Sequence, residues 1–304
     1  MNMRDHLTTA QIKQLTKKSD LRGAVILLSC WLGVALIFYI TTQWPHPLIL
    51  LLALPLLAGR QLALSVVMHE CGHNTLFRTR SLNQFCGQYL AGQPTLGDLH
   101  SYAAGHTHHH RLAGTPDDPD LTNYKAYPIS RESFRRKIWR DLSGQTGYKL
   151  ISFVVIAAAG VFSRDTERRK ASKPYAAIVL NNALFAWLLA VLFSPWAYLL
   201  WLLSIMTFFM LIVRVRQIAE HAHVLNPISD DPREHTRTIL VPWWQRLFLA
   251  PNFVNYHMEH HFMAGVPCYR LPTLHALLKS SGALHAAPPF RGYGEVLNRV
   301  LLSQ

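Results

Sequence analysis

The stretch AVILLSCWLGVALIFYITTQWPHPLILLLALPLLAG, residues 24–59, holds no Asp, Glu, Lys or Arg in 36 positions. A second stretch, PYAAIVLNNALFAWLLAVLFSPWAYLLWLLSIMTFFMLIV at 174–213, repeats the feature over 40 positions. A bilayer core about 30 Å thick takes roughly 20 helical residues, so each stretch is long enough for two spans and a tight turn. Trp44-Pro45-His46-Pro47 and Ser194-Pro195-Trp196 supply the turns, because proline stops a helix and tryptophan favours the membrane interface. The sequence therefore predicts an all-α integral membrane protein, with spans near 24–42, 46–62, 175–193 and 196–213 arranged as two helical hairpins.

The basic residues orient the hairpins. Segment 1–23 carries five Lys/Arg, 60–173 carries sixteen and 214–304 carries nine, with none in either turn. By the positive-inside rule both termini and both long polar segments are expected in the cytoplasm. Residues 1–23 are too long and too mixed in charge for the start of a signal peptide. Half of the 304 residues are hydrophobic and 15% are charged, which excludes a disordered chain. Cys30, Cys71, Cys86 and Cys268 are too few and too scattered for a disulfide scaffold, and a reducing cytoplasm predicts free thiols. The net charge of +13 reads as topology and contact with anionic lipid. No helix-turn-helix, zinc-finger or RNA-binding signature accompanies it, so no nucleic-acid partner is expected.

The polar segments 63–173 and 214–304 are expected to form one cytoplasmic cap on the hairpins, making 1–304 a single domain. Residues 149–162 are apolar but about a dozen long, too short to span. With the charged run 164–173 they read either as an interfacial segment or as a buried helix followed by a solvated face.

Most of the 17 histidines fall in four places: His69-Glu70-Cys71-Gly72-His73, His106-Thr107-His108-His109-His110, His221-Ala222-His223 and His257-Met258-Glu259-His260-His261. Positions i, i+3 and i+4 share a helix face. His69 with His73, His106 with His109 and His110, and His257 with His260 and His261 thus each turn their rings to one side. One such cluster alone is more often a surface patch than a ligand set. Three with helical spacing on one side of the membrane point to a shared metal site, since imidazole suits iron, zinc and copper. His108 and His223 are two residues from a neighbour and read as supporting or surface groups. His6, His46, His100, His235, His275 and His285 are scattered and read as ordinary. Cys71 falls opposite His69 and reads as packing.

Helix geometry places histidines from two separate stretches at similar height. A second span starting near Trp44 puts Arg60 at the cytoplasmic boundary roughly 24 Å on, and His69 about 13 Å above it if the helix continues. His221 lies about 10 Å above Arg214, the end of the fourth span.

The pattern H-x3-H, H-x2-H-H and H-x2-H-H spread over two hairpins resembles the membrane fatty acid desaturases and their hydroxylase relatives. The resemblance covers roughly residues 40–280, and His-Glu-Cys-Gly-His at 69–73 is similar to the first box of acyl-lipid desaturases. Asp117-Asp118-Pro119-Asp120 and Asn255-Tyr256-His257-Met258-Glu259-His260-His261 also match. The resemblance implies a di-iron site that uses O2 to place a double bond in the acyl chain of a membrane lipid or fatty acid. Box matching carries the iron ligands onto His69, His73, His106, His109, His110, His257, His260 and His261, with His221 as the ninth and His223 as the weaker candidate. Glu70, Glu220, Glu259, Asp117, Asp118, Asp120 and Asn255 are candidates to orient these ligands through their second ring nitrogens. The chain has no His-Pro-Gly-Gly haem signature, cysteine quartet or Gly-rich flavin fingerprint, which implies a separate ferredoxin-like or cytochrome-like electron donor.

A hydroxylase or ketolase acting on a lipid, alkane or carotenoid would carry the same boxes. A metal transporter would place ionisable ligands at mid-membrane depth, whereas the uncharged spans hold only Asn181, Asn182 and His46 as notable polar groups. A zinc hydrolase would use three protein ligands and an open position rather than nine.

Overall fold

The computed structural model describes residues 6–302, and every long element among them is a helix. The strands are two residues each, Ile239–Leu240 and Phe290–Arg291, paired in parallel with Ile239 opposite Phe290. Helix α1 is Asp20–Gln43, started by Ser19, whose hydroxyl accepts from the Arg22 amide, and stopped at Trp44-Pro45. Helix α2, Pro47–Gly72, begins with proline at a position where its missing N–H costs nothing. Helix α3, Leu99–Leu112, is capped by Asp98, which accepts from the Ser101 amide at 2.9 Å. Then follow α4 (Arg131–Leu142), α5 (Gln145–Ala159, extended by a tight turn to Phe162), α6 (Thr166–Leu192) and α7 (Ala197–His221). Three shorter helices, α8 (His257–Phe262), α9 (Leu271–Ser280) and α10 (Tyr293–Val300), complete the polar part.

The helices outrun the spans expected from hydropathy. Helix α2 continues past residue 62 to Gly72, and α7 past 213 to His221, so each apolar rod carries a histidine on its polar extension. The basic run 164–173 is not a separate surface segment: most of it forms the first turns of α6. The stretch 149–162 is also longer than expected. Its helix starts at Gln145 and runs 18 residues to Phe162, so its length does not exclude a crossing. Among the described residues five helices are long and apolar enough to cross a membrane: α1, α2, α6, α7 and Gln145–Phe162. Their outer faces are apolar and exposed, as at Leu28, Leu32 and Leu36 of α1 and Leu180 and Leu184 of α6, which suits a lipid environment.

One contiguous buried cluster runs from Leu27 and Phe38 in α1 to Leu274 in α9 and Val300 in α10. Within the apolar layer α2 and α7 are clamped by polar contacts. Gln61 Nε2 donates to the Trp201 carbonyl at 2.9 Å, and Ser204 Oγ donates to the Leu54 carbonyl at 2.8 Å and lies 3.1 Å from Gln61 Oε1. Where α2 leaves that layer, Arg60 Nη2 donates to the Leu247 carbonyl at 2.8 Å. The neighbouring Gly59 is required by the same approach, because a Cβ there would stand 2.2 Å from that carbonyl oxygen.

Gly59→Ala is therefore expected to cost about 1–3 kcal/mol by overpacking and to lower the thermal unfolding midpoint in detergent by several degrees. Gly105→Ala in α3, where an added Cβ meets nothing within 4 Å, is expected to hold or raise it. Equal midpoints for the two variants would contradict this packing.

Candidate metal centre

Four stretches of chain bring the nine box histidines together. Helix α2 carries His69 in its last turn, with His73 just beyond its last residue; α3 carries His106, His109 and His110; α7 ends on His221; α8 carries His257, His260 and His261. They fall into two groups. In the first, His69, His73, His106 and His260 turn their ring nitrogens to a common point. His110 joins them, its Nε2 lying 3.0 Å from His106 Nε2 and 2.8 Å from His260 Nε2. The second group is His109, His221 and His261, joined by His257, whose Nε2 is 2.8 Å from His221 Nε2. His110 also stacks on His261 with 4.3 Å between ring centres, so it stands at the boundary of the two groups.

His223 lies outside. It is exposed at a positive φ of 51°, past the end of α7. His108 is also exposed and sits 2.7 Å from an Arg111 nitrogen.

The donor set fits a cation. A neutral imidazole carries one N–H, so two facing Nε2 atoms can share one proton at most, yet His260 Nε2 faces both His69 and His110 at 2.9 and 2.8 Å. His73 Nε2 and His261 Nε2 are buried with no hydrogen-bond partner in the protein. Metal ions accept all these lone pairs at once. The electrostatics favour the same state. Burial lowers His73 to about 4; burial, then the charges of His73 and His109, lowers His110 to about 3. Burial and neighbouring imidazoles push His106, His257, His260 and His261 far below the ordinary range. At neutral pH these rings are unprotonated, the form that ligates metal.

The acidic candidates divide sharply. Asp118 Oδ1 is 2.7 Å from His109 Nδ1, which leaves His109 Nε2 facing the second group. Burial raises Asp118, but hydrogen bonds from His109 and Tyr124 outweigh it and hold the carboxyl at about 2. Asp120 is the weaker neighbour, 3.7 Å from the same nitrogen. Glu220 is gripped by Arg216 and stands 3.9 Å from His257 Nε2. Glu70, next in sequence to His69, instead accepts from Thr75 Oγ1 at 2.8 Å and the Cys268 amide at 2.9 Å, with its other oxygen 4.0 Å from His69 Nε2. Glu259 reaches no box ring; it accepts from Thr238 Oγ1 and pairs with His275 Nδ1, both at 2.5 Å. Asp117 is exposed, its amide bonded to Thr115. Asn255 braces the strand at Ile239 through its side-chain amide and backbone carbonyl, with Oδ1 buried and unpartnered. Cys71 packs against Gly87, where an added Cβ would come within 2.5 Å of its own.

Sequence reasoning missed four residues. Tyr102 stacks on His106 and its hydroxyl lies 3.0 Å from His69 Nδ1. It precedes His106 by one helical turn, so the i, i+4 spacing could have found it. Tyr124 donates to Asp118 and stacks on His221. His275 holds Glu259, and buried His235 packs edge-on to His261. None of these last three has a local pattern to mark it.

Long apolar helices whose polar ends gather nine imidazoles nitrogen to nitrogen define a multi-pass membrane protein with a candidate metal centre. Residues 42–293 match the fatty acid desaturase family, and the chain belongs to it: the protein is a desaturase-type oxidoreductase. Dihydrorhizobitoxine desaturase of Bradyrhizobium elkanii is 23% identical over 282 residues, taking in 85% of this chain and 76% of that protein. The sn-1 acyl-lipid omega-3 desaturase (ferredoxin) of Synechocystis is 30% identical over 79 residues, 26% of this chain and 21% of that protein.

Replacing His109 with Ala removes an inward nitrogen and leaves Asp118 without its partner. The purified variant is expected to lose most of its bound metal and nearly all turnover. His108→Ala, touching only Arg111, is expected to keep most of both. The reverse ranking, by elemental analysis and activity, would show that α3 does not present the second box as described.

Proposed function

We propose that this desaturase holds two irons in the two histidine groups and uses O2 to introduce a double bond into the acyl chain of a membrane lipid or fatty acid. The observation that carries the reading is the division of nine inward nitrogens into two adjacent groups with His110 between them. In this reading His69, His73, His106, His110 and His260 hold one ion, and His109, His221, His257 and His261 the other. Irons bound there would supply the O2 chemistry that removes hydrogen from an unactivated methylene, which side chains alone cannot do. The protein's part is positional. Asp118 and Tyr102 fix the rings of His109 and His69, Glu259 with His275 and Thr238 anchors α8, and burial keeps water from the nitrogens.

An external electron source is part of the proposal. The name of the Synechocystis protein specifies an acyl-lipid substrate and ferredoxin; a ferredoxin-like or cytochrome-like donor is the corresponding partner here.

The proposed topology has four spans, α1, α2, α6 and α7, with both termini and the metal centre in the cytoplasm. Parity supports it. His110 and His221 meet at one centre, so the chain between them crosses the membrane an even number of times. Three candidate helices lie in that interval. Phe38 near the end of α1 contacts Phe193 just after α6, which favours α6 and α7 as the second hairpin. The helix Gln145–Phe162 is then the one that does not cross. Reporters at the amino terminus, Lys137, Ser163 and the carboxy terminus should read cytoplasm, and one at His46 the opposite side. A reporter at Ser163 on the far side would overturn this arrangement.

The function is tested by expression in a host of simple lipid composition. Total lipids should gain an acyl species lighter by two hydrogens, and the active protein should carry about two irons per chain, since histidine sites accept iron without excluding zinc. A product heavier by one oxygen would instead establish the hydroxylase outcome of the same site. Activity in protein holding less than one redox metal would overturn the di-iron reading.

A further inference from the structure

On the outer wall of the metal centre lies a cavity of about 570 Å³, entered between the loop after α7 and the carboxy-terminal strand. Four guanidiniums line it, those of Arg233, Arg237, Arg291 and Arg299. Two carboxylates answer them. Asp231 is paired with Arg233, and Glu295 lies 3.8 Å from Arg299 while its other oxygen accepts from the Arg291 amide. Glu234 also acts on Arg233 through its charge, so four positive groups face three negative ones and the uncompensated charge falls around Arg237.

Arg237 is the least compensated. It is 7% exposed and donates to the carbonyls of Ala222 and His223 at 2.6 and 3.0 Å, but no carboxylate pairs with it among the described residues. Burial and then the charge of Arg299 lower it to about 10, so it remains a cation at neutral pH. Arg237 and Arg299 both rest on the Phe290 ring, at 5.1 and 4.7 Å from its centre, which gathers two like charges beside one aromatic. A buried charge without a partner is costly, and guanidinium forks match phosphate oxygens.

The geometry points to a binding site for an organophosphate, a phosphate ester whose organic part lies against the apolar walls. A phosphate ester with a free terminal group carries about −1.5 to −2 charges at neutral pH, enough to answer Arg237 and to share the forks of Arg291 and Arg299. The volume exceeds what a bare ion needs, and Leu225, Pro288, Pro289 and Phe290 supply apolar contact for the remainder. The concave form favours a small ligand over the flat face of a partner protein. The site adjoins the metal centre without belonging to it: Thr238 in its wall donates to Glu259, and Met258 beside it lies between His257 and Glu259.

The test uses the full chain in uncharged detergent at fixed ionic strength, titrated calorimetrically with sn-glycerol 3-phosphate, inorganic phosphate, glycerol, or mixed micelles containing phosphatidic acid. Saturable binding of glycerol 3-phosphate is expected, weaker binding of inorganic phosphate, and none of glycerol. Binding only from the micelles would make the source a lipid head group and would equally support the site. Arg291 and Arg299 are exposed, so Arg291→Ala and Arg299→Ala should fold normally, and each is expected to weaken binding about fivefold, roughly 1 kcal/mol. Glu295→Gln, which removes a competing carboxylate, is expected to tighten it. No saturable binding of any phosphate, affinities indifferent to all three substitutions, or binding of a glutamate-rich peptide alone would overturn the proposal.

Discussion

The meeting of imidazoles around His260 is the constraint on which the rest of the molecule depends. Its Nε2 stands within 3 Å of nitrogens from α2 and α3, so three separate elements end at one atom. Rings so close cannot all be protonated, nor can they be stable as bare neighbours without a group that takes their lone pairs. Everything else arranges this convergence. Rods α2 and α7 extend beyond the apolar layer, α3 crosses their ends with three histidines on one side, and α8 closes the centre. The short strand pair and α10 hold the carboxy-terminal segment beside them.

Polar support around the centre is graded by burial. The Asp118–His109 contact is sealed by Tyr124, so its electrostatics work at low local dielectric and orient one ring firmly. Glu259 and His275 form a second such unit, which does not touch the box rings and acts by fixing the helix that carries three of them. Arg216 and Glu220 pair one turn apart within α7 and brace its last turn, beside His221. The acids thus serve two purposes, turning individual rings and anchoring helix ends, and Asp118 alone is within hydrogen-bond reach of a box nitrogen among the candidates named from sequence.

The parts of the fold visible in the sequence were those written as a period or an absence of charge. The uncharged stretches marked α1, α2, α6 and α7, and the i, i+3, i+4 spacing marked the inward rings of α3 and α8. Helix ends were less visible because charge does not stop a helix: α2 runs through Arg60, and α6 begins within a basic run. The same blindness shortened the helix Gln145–Phe162, whose first turn is polar. Contacts made between distant stretches left no trace at all. His275 looked solitary because its partner Glu259 is brought to it by tertiary folding, and Glu70 looked like a partner of His69 by adjacency although it turns toward Thr75 and Cys268.

The clamp between Gln61 and Ser204 has a consequence of leverage. His69 lies about 12 Å along α2 from Gln61, so tilting that helix by roughly 5° about the clamp swings its imidazole by about 1 Å. Metal–ligand distances tolerate about 0.2 Å. The accuracy of a centre outside the apolar layer is therefore set inside it, by the amide of Gln61 and the hydroxyl of Ser204. Side chains buried among lipid-facing helices act here as the fulcrum of the chemistry above them.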